Sequence, residues 1–287
     1  MSHFTTFVIS KTDNREELER LMLPYHEYEC TGITEYCIHQ DITDETVTDY
    51  NENKEDYESV EDFLDSWHGI TNVYESEPET KPEDSYAVIK DGQIIKAYRF
   101  TNPNSKWDYY GPYSWERSEY VNIDGETDVI KKSQFDIDAF MAKRKEYYTE
   151  LYNKLKPYFT SDFITWEQAR KENENLDAAR DVYNNQQSMK DMNEKLGSGE
   201  VFHIRWNINI DDVATKTLDE FVKANLDTVA PFWAMVTPDG KWIEKGKMGW
   251  WAISWDEDNN FNKTWTEVWK EIPDDYYIWK CDYCRYS

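Results

Sequence analysis

Cys281 and Cys284 form a C-x-x-C near the end of the chain, a spacing that suits a redox pair or half of a zinc site. A redox pair draws its low thiol pKa from a helix N-terminus, whereas this one closes a strand-like run, DYYIWKCDYC. A zinc site needs a second pair, and Cys30 and Cys37 have six residues between them, a spacing that fixes no ligand geometry. Cys281 and Cys284 are therefore weak metal candidates, and a structural role is expected for them. The histidines His3, His26, His39, His68 and His203 compose no H-x-x-x-H, H-E-x-x-H or Ser-His-Asp order. Tyr25-His26-Glu27 offers a general base, but a lone loop histidine is more often a hydrogen-bonded structural residue. Carboxylates are so numerous that any pair could be matched to an acid/base scheme, so no pair is informative. Walker A and G-x-G-x-x-G loops are both absent. No catalytic residue, cofactor or metal is assigned, and a non-enzymatic role is expected.

The charge says more than any motif. The chain of 287 residues carries 32 Lys plus Arg against 58 Asp plus Glu, a formal net charge of −26. Direct nucleic-acid binding is not expected, because phosphate contacts need clustered cations. A basic protein surface is the natural partner. Disorder is not expected either, since 13 Trp, 21 Tyr and 12 Phe supply apolar area that disordered acidic chains lack. With four cysteines, no charged and apolar leader, and no window of 18 apolar residues, the reading is a reducing compartment without membrane insertion.

The positioning elements follow from local pattern. HFTTFVIS reads as a strand, and Asp13 or Asn14 then caps a helix that stops at Pro24. SYAVIKDGQIIKAYRF reads as a hairpin turning at Asp91-Gly92, and FWAMVTPDGKWIEKG as a second turning at Pro238-Asp239-Gly240. FNKTWTEVWKEI reads as a helix before the last strand. Residues 41–84 hold 16 acids against Lys54 and Lys81, with Val60, Phe63, Leu64 and Trp67 at helical spacing beneath them. Residues 136–196 are helical in composition, ending at Gly197-Ser198-Gly199. The expectation is an α+β fold: an antiparallel or mixed sheet domain from residues 1–130 and 200–287, with a helical insertion over 131–199 as an arm or assembly region. Two aromatic clusters, 106–115 and 247–255, are read as core or as a protein-binding hot spot.

Five blocks, MSHFTTFVIS, YHEYECTGI, NPNSKWDYYGPYSW, TPDGKWIEKGKMGWW and IPDDYYIWKCDYC, cover about a fifth of the chain. Their order and spacing resemble a phage-encoded family beginning MSHFT. The chain departs from that pattern at Pro112-Tyr113-Ser114-Trp115, where members carry Gly-Gly-Arg-Trp, and at Asp282-Tyr283-Cys284, where they end Asp-Cys-His. Length, acidity, the helical insertion and the C-terminal C-x-x-C make it similar to the phage inhibitors of the Gabija defence system. That resemblance implies a homo-oligomeric immune-evasion protein of the host cytoplasm. It would bind the Gabija nuclease-helicase complex and prevent DNA binding and cleavage. Glu58, Glu61, Asp62 and Asp65 are the expected partner-facing acids, and Trp107, Tyr109, Tyr110, Trp250 and Trp251 the expected contact or packing residues. The alternatives are an acidic DNA mimic aimed at another host DNA-binding protein and an enzyme acting on a small signalling molecule.

Overall fold

The structure is a computed structural model that describes residues 2–115, 120–121, 125–160, 162–248 and 254–285, with the side chains of residues 2, 248 and 283–285 excepted. Along the chain, β1 (Ser2–Ser10) leads to α1 (Arg15–Met22), α2 (Tyr28–Thr31), β2 (Ile38–Asp41), α3 (Thr43–Asn53), α4 (Val60–His68) and β3 (Asn72–Tyr74). Next come β4 (Tyr86–Lys90), β5 (Gln93–Thr101), β6 (Tyr109–Pro112) and β7 (Val129–Lys131). Seven helices follow: α5 (Ile137–Leu155), α6 (Trp166–Glu172), α7 (Leu176–Asn184), α8 (Gln187–Leu196), α9 (Ser198–Asn207), α10 (Ile210–Thr215) and α11 (Leu218–Thr228). The chain ends with β8 (Ala234–Val236), β9 (Trp242–Glu244), β10 (Lys247–Met248), β11 (Ser254–Trp255), α12 (Phe261–Glu271) and β12 (Tyr277–Arg285).

The fold is α+β, as its sequence pattern predicts, and its main sheet is built from both ends of the chain. The strand order is β6-β12-β1-β8-β9, with β7 also on β12. β1 lies antiparallel to β12 from Ser2 opposite Arg285 to Ser10 opposite Tyr277, and parallel to β8. Its alternating side chains feed two cores, because successive residues of a strand point to opposite faces. Phe7 and Ile9 join Trp115, Phe135, Phe140, Phe261, Trp265 and Trp269 on one side. Phe4 and Val8 join Leu18, Leu21, Met22, Trp107, Trp279 and Cys281 on the other. The central strand is thus covered on both faces, by α1 and by α12.

Three expectations need correction. The sheet region is not one sheet: residues 38–101 form a separate four-stranded sheet of order β2-β5-β4-β3 with its own core. The helical region does not end at 199. Gly197, at φ 86, turns the chain between α8 and α9, and α9 to α11 complete the same core as α5. Phe221 of α11 packs against Tyr152 of α5 at a ring distance of 5.4 Å, and the Tyr152 hydroxyl donates to the Lys216 carbonyl at 2.8 Å. Trp67 is not beneath the acidic face but half-exposed, stacked on Phe63 at 6.2 Å with a 17° interplanar angle.

Candidate interaction surface

The acidic lobe is assembled from α3, α4 and the four-stranded sheet. In α4, Val60, Phe63 and Leu64 turn inward at i, i+3 and i+4, packing with Ile42, Ile70, Ala87, Ile89 and Ala97. Ser59 caps the helix by accepting from the Asp62 N–H at 3.1 Å. Gly69, at φ 64, ends it with an N–H to the Asp65 carbonyl at 2.9 Å. With its apolar stripe so fixed, α4 presents Glu61, Asp62 and Asp65 to solvent, with Glu58 exposed just before it. Glu61 and Asp62 sit in the first turn, where the helix dipole favours negative charge. Thr43 ties α3 to the sheet, its hydroxyl donating to the Asp41 carboxylate at 2.6 Å and accepting from the Ala97 N–H at 3.0 Å.

Of the 16 acids in residues 41–84, all but Asp49 are exposed. Among the described residues two of them take intramolecular ion pairs, Asp41 with Lys96 and Glu45 with Arg99, each at 3.5 Å. Asp49 lies 3.5 Å from the His68 ring nitrogen Nε2, a contact that is an ion pair only if the ring is protonated. Other acids serve local order. Glu77 accepts from the hydroxyls of Tyr86 at 3.1 Å and Tyr98 at 3.2 Å, and burial together with that carboxylate pushes the Tyr86 hydroxyl far above its usual pKa. Asp62 accepts from the Glu58 N–H at 3.1 Å. Burial lowers the His68 pKa, against the pull of Asp49.

Of the described residues singled out from the sequence, Glu58, Glu61, Asp62 and Asp65 share the α4 region, whereas Trp107, Tyr110 and Cys281 meet in the separate core that packs on α1. Trp107 is buried: its indole N–H donates to the Met22 carbonyl at 3.3 Å, and Tyr110 meets its ring edge-on at 4.8 Å. Both pack between α1 and the main sheet. Tyr109, on the edge strand β6, is 68% exposed. Trp250 and Trp251 lie outside the described residues. Cys281 is buried, and burial drives its thiol far above the usual range, so it is a poor nucleophile. The Cys284 backbone sits opposite His3 and Tyr109 in the sheet register. Among the described residues no cysteine belongs to a group of converging His, Cys, Asp or Glu donors. His26 is fully buried with its ring nitrogens 2.7 Å from the carbonyls of Leu23 and Ile33, a structural cross-link.

Sequence reasoning missed a second feature. On α9, Phe202 and Trp206 are 58% and 62% exposed and touch edge to face at 5.9 Å. Their i, i+4 spacing was the available signal, but α9 fell beyond the boundary set at 199. No protein-family model, curated protein or solved structure matches this chain. No described helix is long and apolar enough to cross a membrane.

Proposed function

We propose that the protein is a phage anti-defence inhibitor that docks its acidic lobe onto a basic surface of a host nuclease-helicase complex of the Gabija type, blocking DNA engagement and cleavage. One observation carries this reading: a folded lobe holds a dense carboxylate surface most of which has no ion-pair partner among the described residues. Such a surface attracts a basic partner at long range and is complementary to the track that a nuclease offers DNA. Rigid support matters, since preorganised charge docks with less ordering cost. Self-assembly is assigned to the helical body, on the strength of the exposed Phe202 and Trp206.

The test is a pull-down with the purified Gabija complex alongside a DNA-cleavage assay. Stable co-assembly and loss of cleavage are expected at saturating protein. Intact cleavage at saturation defeats the proposal.

A further inference from the structure

We propose that Glu45, Asp49 and His68 form a binding site for one divalent transition-metal ion of the zinc class. This goes beyond the docking reading and does not depend on it. Glu45 and Asp49 are four positions apart on α3 and so share a helix face. His68, the last residue of α4, closes over them. One ligand atom from each of the three side chains falls within 4.8 Å of the other two.

A cluster of acids alone would mean little on so acidic a surface, and His68 is the separate observation. Its side chain is only 3% exposed, with the Phe63 ring against it edge-on at 5.4 Å. Its Nε2 is buried without a hydrogen-bond partner, which leaves a ring nitrogen shut away from water and unsatisfied. Asp49 Oδ2 lies 3.5 Å from that nitrogen, close to the ligand-to-ligand edge of about 3.4 Å expected around a tetrahedral ion with bonds of about 2.1 Å. A cation placed there would satisfy the imidazole and draw in both carboxylates.

The donor set selects the ion. Magnesium and calcium prefer all-oxygen shells, whereas one imidazole with two carboxylates suits zinc and its neighbours. Arg99 is the competing cation, 3.5 Å from Glu45. The Glu45 side chain is 56% exposed, which gives the ion a route in and leaves room for water as a further ligand.

The experiment uses the full chain stripped of metal, with zinc affinity read by competition against a chromogenic chelator and coordination read from the visible spectrum of added cobalt(II). One equivalent of zinc is expected. His68→Gln, Asp49→Asn and Glu45→Gln should each weaken it by at least about tenfold, no less than the loss of an outer-shell partner costs. Glu58→Gln and Glu79→Gln, exposed acids outside the cluster, should leave it unchanged. Absence of stoichiometric uptake, or equal weakening by the two control substitutions, overturns the site. Glu45→Gln alters a largely solvent-facing side chain, so the test stays readable should His68→Gln impair folding. Because zinc uptake is measured on the protein alone, its failure says nothing about docking, and failure to bind the defence complex says nothing about zinc.

Discussion

The indole N–H of Trp279 donates to the Ser10 hydroxyl at 2.9 Å, linking residues 269 positions apart between the first strand and the last. The same hydroxyl donates to the Thr12 carbonyl at 2.6 Å, so it joins the paired termini to the turn that launches α1. Both residues are buried. Ser10→Ala leaves the indole donor unsatisfied and should cost about 1–3 kcal/mol. Trp279→Phe also opens space in the core, with an expected cost of about 2–4 kcal/mol. Urea unfolding of both variants checks this, and midpoints equal to wild type would show that backbone pairing alone secures the termini.

What was legible in the sequence was local. The Asn14 side chain accepts from the Glu16 N–H at 3.0 Å, as expected of an N-cap. Asp91 and Gly92 both take positive φ, 50° and 73°, as a type I′ turn requires. Strand partners were not legible, because pairing is settled by packing between distant segments. Nothing in β4 or β5 says that they join β2 and β3 and not β1. The helical boundary was partly readable: Thr217 and Glu220 form a capping box, a helix start well past residue 199. Glycines at 197 and 199 masked it by resembling a terminus. The approach of His68 to Asp49 left no trace at all, since it arises from the packing of α4 on α3 and not from any spacing.

Lys132 is buried, donating to the Ile272 carbonyl at 2.7 Å and to Asp274 at 2.8 Å, with the Trp269 ring 5.5 Å from its ammonium. The two acceptors differ in kind. Asp274 is largely exposed, so its share is screened by water, whereas the Ile272 carbonyl has less solvent to turn to. Lys132→Met, which retains the aliphatic stem, should destabilise by about 1–3 kcal/mol. Asp274→Asn should cost under about 1 kcal/mol. Thermal unfolding compares them; a larger loss from Asp274→Asn would reverse the assignment.

Glu17 supplies a pH dependence. Burial pushes its pKa up, but the Thr12 hydroxyl and the N–H groups of Lys11 and Thr12 outweigh it and hold the carboxyl below its ordinary value of 4.5. A carboxyl depressed on folding contributes stability that is complete above the unfolded value and fades as pH falls through the folded one. Glu17→Gln should therefore be less stable than wild type at neutral pH, with the gap closing under acid. Denaturation across that range reads the gap directly, and a constant difference would assign the effect to packing instead of ionisation.

The acidic face should separate stability from association. Glu61 and Asp65 are four apart on α4, where like charges repel, so neutralising them relieves strain about as large as the helix-dipole interaction it removes. Glu58, Glu61 and Asp65 take no ion pair among the described residues. The triple variant Glu58→Gln, Glu61→Gln, Asp65→Asn should stay within about 1 kcal/mol of wild type in unfolding free energy. Its association rate with a basic partner should fall, and the remaining rate should depend less on salt, because rim charges act mainly by steering the encounter. Stopped-flow mixing at two ionic strengths measures both quantities. An unaltered rate would move the docking surface off α4, and a loss of several kcal/mol would instead give these carboxylates a part in holding the fold.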